Sequence, residues 1–103
     1  MRFMCRFRIP VEVGNRLAKE GKLGLKIQAI LEEQKPEAVY FTLDQGKRTA
    51  FVVLNIDRES HLAAIAEPWF IAFNAEMEAD PAMTPEDLKN AGPAIEAAVK
   101  KYA

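Results

Sequence analysis

Two side chains of this sequence are the best suited to move protons. His61 is the only histidine, and imidazole is the side chain that titrates closest to neutral pH, so it can act as a general base there. Glu76 is the best placed carboxylate for proton transfer, provided that it is buried. Each has a structural alternative, since His61 suits an exposed first helical turn and Glu76 suits an ion pair. We predict both as candidate catalytic residues.

The remaining reactive groups exclude several kinds of site. Cys5 is the only cysteine, so the chain forms no internal disulfide and no multi-cysteine metal site. On a strand it would lie on the apolar face, which favours a buried, inert thiol over a nucleophile. The sequence also lacks a phosphate-binding loop, a nucleophile elbow and a metal pair at helical spacing. We therefore predict neither a metal nor a cofactor.

Composition describes an ordinary globular protein. The 103 residues are 50% hydrophobic and 28% charged, with a formal net charge of -1, which predicts one domain over residues 1–103. Nucleic acid is disfavoured as a partner because there is no basic excess to neutralise phosphates. The apolar run that begins at Phe3 is interrupted by arginines, so it is neither a signal peptide nor a membrane span. A cytoplasmic location is the default expectation.

The first strand organises the chain. Arg2 to Ile9 alternates, and because successive side chains on a strand point to opposite faces, it has one apolar face and one arginine face. Phe3, Cys5 and Phe7 form the first, and Arg2, Met4, Arg6 and Arg8 form the second. Asn74 to Asp80 alternates in the same way, with Glu76, Glu78 and Asp80 on one side. If these two strands are neighbours, a ladder of arginines lies beside a ladder of carboxylates.

Other patterns supply the remaining elements. Apolar spacing predicts a helix over Val11 to Gln34, in which Gly21 and Gly24 either break the helix or let it lie close to the sheet. Two strands follow, Ala38 to Asp44 and Arg48 to Ile56, joined at Gly46 by a hairpin. We expect Asp57 to cap a short second helix that Pro68 disrupts or follows. A strand over about Asn74 to Ala82 is next. Thr84 and Pro85 then begin a helical segment, in which Ile95, Val99 and Tyr102 are predicted to dock on the body or on a partner.

This order predicts an α+β, ferredoxin-like βαββαβ fold with an antiparallel sheet and an extra C-terminal helix. Right-handed crossovers put the first and third strands in the middle, with the fourth beside the first. Ala50 to Leu54 is apolar on both faces, so a second subunit is the simplest cover for the face without helices. RNA-recognition modules share this order of elements but stack bases on aromatic residues of their central strands. In this chain Thr49 and Leu54 occupy two of the positions where aromatic residues would be expected, which leaves only Phe51. RNA binding is therefore disfavoured.

The chain resembles a known superfamily. The order of elements is similar to that of the dimeric α/β barrel proteins, in which two such sheets pack face to face. Two segments resemble the muconolactone isomerase branch: Phe3 to Val11 with its Ile-Pro-Val turn, and Pro68-Trp69-Phe70 running on to Ala75-Glu76-Met77. Small bacterial members of the superfamily begin in a similar Phe-Met way. The resemblance implies a homodimer and, as chemistry, isomerisation or cofactor-free oxidation.

The function expected from these observations is binding of a small, mostly apolar organic molecule between sheet and helices. The predicted ligand-binding residues are Phe7, Tyr40, Phe41, Trp69 and Phe70. The alternative is a non-enzymatic structural or interaction protein whose apolar surfaces serve assembly. A pocket of about 300 Å³ or more with converging polar groups would favour ligand binding, and a closed core would favour the structural or interaction protein.

Overall fold

A computed structural model describes the whole chain, Met1–Ala103. The elements are β1 (Arg2–Ile9), α1 (Val11–Lys19), α2 (Leu23–Gln34), β2 (Ala38–Asp44), β3 (Lys47–Asn55), α3 (Glu59–Phe73), β4 (Glu76–Pro81), α4 (Pro85–Asn90) and α5 (Gly92–Tyr102). The strands form one antiparallel sheet in the order β2-β3-β1-β4. This α+β architecture fits the predicted ferredoxin-like arrangement, including the central position of β1 and β3.

The strand register separates the sheet into two faces. Phe7 pairs with Ala50 of β3 and Met77 of β4, and the next residue, Arg8, pairs with Thr49 and Glu76. We call the side of Phe7 the helix-covered face, because residues of α1, α2 and α3 join its core, and the side of Arg8 the open face. The core residues are Cys5, Phe7, Ile9, Leu17, Ile30, Ala50, Val52, Leu54, Ile56, Ile65, Trp69, Phe73 and Ala75. The predicted adjacency of arginine and carboxylate ladders is confirmed.

The predicted first helix is broken. α1 ends at Lys19 and α2 begins at Leu23, with Gly21 between them at a φ of 71°, a left-handed conformation that glycine adopts without steric cost. Gly24 is exposed, with no neighbouring atom within 4 Å of a Cβ placed on it, so close approach to the sheet does not explain it. At Gly14 a Cβ would lie 2.6 Å from Nη1 of Arg48, the end of a flexible side chain that could move aside.

The expectation of a short second helix is wrong. α3 continues through Pro68 to Phe73, because Ile65, Trp69 and Phe73 recur every four residues and are all buried. Burial of that stripe outweighs the backbone hydrogen bond that proline cannot make. Asp57 does not cap the helix either. Its carboxylate accepts a hydrogen bond of 2.6 Å from Nδ2 of Asn55, and no side chain caps α3.

The C-terminal helices project from the body as an arm. α4 begins with the expected cap, in which Thr84 Oγ1 accepts from the Asp87 amide at 3.1 Å and the Asp87 carboxylate accepts from the Thr84 amide at 2.9 Å. These bonds hold the pKa of Asp87 below its usual value. Every residue from Pro93 onward is exposed. The arm gives a radius of gyration of 17.2 Å, against about 13 Å for a compact chain of this length.

None of these helices combines the length and the apolar character that crossing a membrane requires.

Candidate functional site

The open face is centred on a buried arginine. The Arg8 side chain is only 5% exposed, although it lies on the face away from the helices of the core. Its Nε atom donates to Oδ2 of Asp44 at 2.7 Å, and its Nη1 atom donates to Oε1 of Glu78 at 2.7 Å. The hydrogen bonds to Glu78 and Asp44 raise the pKa of Arg8 further above its usual value. Arg8 therefore stays charged at every working pH and ties β1 to both outer strands of the sheet.

The neighbouring arginine is held differently. Nη1 of Arg6 donates to Oε2 of Glu78 at 3.2 Å, and its guanidinium lies 4.7 Å from the centre of the Phe51 ring, a cation–π geometry. Nε of Arg6 is buried without a hydrogen-bond partner, although Oδ2 of Asp44 lies 3.6 Å away. The open face is thus a network in which Asp44, Glu76 and Glu78 each have a cation beside them, whereas Asp80, the register partner of Met4, forms no ion pair.

Glu76 belongs to this network. Its carboxylate lies 3.8 Å from Nη1 of Arg8 and 3.9 Å from Nζ of Lys47, and its side chain is exposed. Contact with two cations at this distance makes Glu76 a member of the ion-pair network of the open face.

The helix-covered side has a separate pocket at the opposite end of β1, which we call the Phe3 pocket. Its volume is about 250 Å³. It is lined by Met1, Phe3, Ile56, Asp57, Arg58, Glu59 and Leu62. The apolar lining comes from the start of β1, the end of β3 and the second turn of α3. The charged residues Asp57, Arg58 and Glu59 lie where the chain leaves β3 and begins α3. An apolar cavity with a few polar groups on one side is typical of small-molecule sites.

His61 adjoins this pocket. It lies in the first turn of α3, as predicted, but it is half-buried and not exposed. Its Nδ1 atom accepts a hydrogen bond of 3.3 Å from the amide of Asp57, a pocket residue. With Nδ1 used as the acceptor of this bond, Nε2 is the ring nitrogen left for another partner. His61 and Glu76 are not brought together, since Glu76 lies on the other face at the Arg8 end of β1.

The five predicted ligand-binding residues do not share one surface. Phe7 and Trp69 are stacked with their ring centres 4.4 Å apart and are fully buried, so they fill the space in which a ligand was expected. Tyr40 is exposed on the open face, and Phe41 is exposed on the opposite side of the edge strand β2. Phe70 lies on the surface of α3.

Phe70 instead lines a shallow concavity between α3 and β4, which we call the α3–β4 groove. Its volume is about 510 Å³. It is lined by Glu59, Leu62, Ala63, Ala66, Glu67, Phe70, Met77 and Ala79. Glu59 and Leu62 also line the Phe3 pocket, so these two residues separate the pocket from the groove.

Sequence reasoning missed the Phe3 pocket, although its signals were present. Ile56 and Leu62 enclose the charged triplet Asp57, Arg58 and Glu59, and the predicted pairing of β1 with β3 already placed Phe3 beside the end of β3. What the pattern lacked was the direction of α3, which decides whether Leu62 closes the cavity or points away from it.

Comparison with known proteins identifies a family. The model of the family described as "Domain of unknown function (DUF3303)" matches residues 1–96. The chain belongs to the DUF3303 family. No curated protein matches this DUF3303 chain. Nine chains of solved structures match it, among them a formyltetrahydrofolate deformylase from Pseudomonas putida, with 17% identity and a TM-score of 0.49. That match covers 80% of this chain and 29% of the deformylase, so the chain spans less than a third of that enzyme's length.

Proposed function

We propose that this DUF3303 chain binds a small, mostly apolar organic molecule in the Phe3 pocket. The observation that carries the proposal is the pocket itself, with Phe3, Ile56 and Leu62 as an apolar lining and its charged groups supplied by the three consecutive residues 57–59. Its volume of about 250 Å³ suits a molecule somewhat smaller than the occupants of pockets of about 300 Å³ and above. The ligand therefore lies beside the aromatic core rather than between Phe7 and Trp69.

His61 is the residue that we assign to polar contact with this molecule. With Nδ1 occupied by the Asp57 amide, the Nε2 proton is the one available to a ligand oxygen or nitrogen. An isomerisation or a cofactor-free oxidation, the reactions implied by the resemblance, would use His61 to carry the proton. Glu76 has no part in this proposal, because its surroundings favour an ion pair.

Binding of a fluorescent apolar probe tests the pocket. We expect anilinonaphthalene sulfonate to bind the wild-type chain, and Leu62→Trp to weaken that binding at least tenfold because the larger ring fills the cavity. Leu25→Trp is the matched control, since Leu25 is an exposed leucine on α2 that does not line the pocket. Equal binding by both variants would overturn the assignment and favour the non-enzymatic alternative. His61→Ala should change the affinity for polar aromatic probes while leaving the unfolding midpoint nearly unchanged.

We also propose that two copies of the chain pair through the open face, as in a dimeric α/β barrel. Met4 and Tyr40 are exposed on that face, and the neighbouring Arg6, Arg8 and Glu78 are already paired within one chain. A second sheet would therefore cover apolar side chains over charges of which most, Asp80 excepted, are already paired.

The pairing has a closely matched test. Tyr40 and Phe41 are consecutive, exposed and aromatic, but they lie on opposite faces of β2. We expect Tyr40→Asp to halve the mass of the wild-type assembly in sedimentation equilibrium and Phe41→Asp to leave that mass unchanged. The pairing is disproved if Tyr40→Asp keeps the wild-type mass, or if both substitutions dissociate the dimer equally.

A further inference from the structure

The arm carries an apolar stripe without a cover. Ile95, Val99 and Tyr102 are 51%, 57% and 78% exposed, and their spacing of four and three residues places them on one side of α5. Ala97 and Lys100 lie on the other side. An amphipathic helix gains most of its stability from burying its apolar side, so this stripe is suited to contact another surface.

The α3–β4 groove matches this stripe in length and charge. Ile95 to Tyr102 spans seven helical steps and Leu62 to Phe70 spans eight, which correspond to about 10 Å and about 12 Å at 1.5 Å per residue. Lys101 adjoins the end of the stripe, with its Nζ atom 5.4 Å from the centre of the Tyr102 ring, and the groove has two carboxylates, Glu59 and Glu67, and no cation in its lining. Opposite charges beside an apolar contact favour its formation and fix its direction.

The other concavity formed by helices fits less well. It lies between α2 and α3 and is lined by Lys26, Ala29, Ile30, Pro68, Ile71 and Ala72. Its single charged residue is Lys26, which would repel the lysines at the end of α5. Charge therefore distinguishes between two apolar surfaces that α5 would otherwise fit equally.

The arm is built to reach away from its own body. The cap at Thr84 and Asp87 fixes the start of α4, and backbone hydrogen bonds cross the joint to α5, from the Ala91 amide to the Asp87 carbonyl and from the Ile95 amide to the Ala91 carbonyl. The molecule measures 59 × 27 × 20 Å as a result. Folding the stripe back by bending at this joint would break these bonds, whereas a second copy requires no such change.

From these observations we infer that α5 of one chain docks in the α3–β4 groove of a second copy, with Ile95, Val99 and Tyr102 against Phe70 and Met77. When two copies exchange arms, the same contact forms twice in one dimer, which is the self-complementary arrangement of a two-fold interface. This contact is independent of ligand binding in the Phe3 pocket and of pairing through the open face.

Cross-linking between two singly substituted chains tests the exchange. One full-length chain carries Val99→Cys on the stripe and the other, of a different tagged mass, carries Ala63→Cys in the groove. Both positions are exposed, so the substitutions leave the fold intact, and the native Cys5 is buried. A short bismaleimide should join the two chains several times more efficiently than it joins an Ala97→Cys chain, altered on the opposite side of α5, to the same Ala63→Cys chain.

Two results would overturn the inference. The first is equal heterodimer yield from Val99→Cys and Ala97→Cys. The second is a doubly substituted chain, with Val99→Cys and Ala63→Cys, that closes within one monomer at high dilution, which would assign the arm to its own groove. Failure of anilinonaphthalene sulfonate binding, or of the Tyr40→Asp test, would affect neither outcome.

Discussion

Phe7 and Arg8 are neighbours in β1, and both are almost completely buried, but by opposite means. Phe7 is covered by helices, since it stacks on Trp69 of α3. Arg8 lies on the open face and is covered by its own ion-pair partners, Asp44 and Glu78. One strand thus supports an aromatic core on one side and a charge network on the other. A buried side chain of β1 is therefore covered by apolar packing on one face of the sheet and by ion-pair partners on the other.

The largest effect is expected on the helix-covered face. Trp69→Ala removes the ring that stacks on Phe7 and contacts Phe73, and it also removes the hydrogen bond from Nε1 to Oε1 of Gln34 in α2. We expect the free energy of unfolding to fall by about 3–5 kcal/mol, as is usual for a buried aromatic residue. Urea denaturation followed by circular dichroism measures it.

Ile71→Ala is the control for this loss, because Ile71 is on the same helix but 81% exposed. Its effect should stay within about 0.5 kcal/mol. If the two substitutions lower the free energy of unfolding equally, then the aromatic stack does not hold α3 on the sheet. The helix-covered face would then not be stabilised by apolar packing.

The two faces also differ in how far the sequence predicts them. Alternation in β1 and around Glu76 predicted both faces and the adjacency of their ladders, because a strand's period of two is read directly from residue order. The sequence did not single out Arg8 over Arg6 as the buried arginine. That difference arises from Asp44, which reaches Arg8 from an outer strand and depends on the register of three strands together.

The candidate site was harder to predict than the fold for the same reason. Trp69 was predicted to bind a ligand, but it lies in the core with Phe73, where aromatic residues at such spacing usually pack. The Phe3 pocket and the α3–β4 groove depend on the course of α3, which continues through Pro68. Local propensity indicates a break at that proline, and only the burial of Ile65 and Trp69 on either side of it overrides that tendency.

A smaller effect is expected on the open face. Arg8→Met removes the cation shared by Asp44 and Glu78, and we expect a loss of stability below that of Trp69→Ala. The reason is that these carboxylates are 29% and 52% exposed, so water can solvate them once the arginine is gone. Because the lost interaction is electrostatic, the difference from wild type should shrink as salt is added.

Arg2→Met is the matched control for this prediction. Arg2 lies on the same face of the same strand and also binds a carboxylate, that of Glu37, at 2.9 Å, but its side chain is 36% exposed. An exposed ion pair contributes little to folding, so we expect no measurable change in the urea midpoint. Equal losses for Arg8→Met and Arg2→Met would mean that burial adds nothing to the network.

The smallest effect is expected from ionisation of Cys5, because a buried thiolate is unfavourable on the helix-covered face. Burial first, and the negative charge of Asp80 second, raise the pKa of the Cys5 thiol from 9.0 to about 11. Because the folded value lies above the unfolded one, the neutral thiol contributes stability that is complete below about pH 9 and is lost as the pH rises toward about 11. In urea denaturation series across this range, wild type should therefore lose stability more steeply than Cys5→Ala.

The difference between these two chains isolates the thiol, since the lysines and tyrosines that titrate in the same range are common to both. Parallel curves would mean that a thiolate is tolerated opposite Val52 and Ala79, the register partners of Cys5. The helix-covered face would then accept charge as the open face does beside Arg6. A steeper wild-type curve would instead establish that the helix-covered face of β1 disfavours charge. Since the open face of the same strand accommodates the charge of Arg8, this is the difference that the contrast between Phe7 and Arg8 requires.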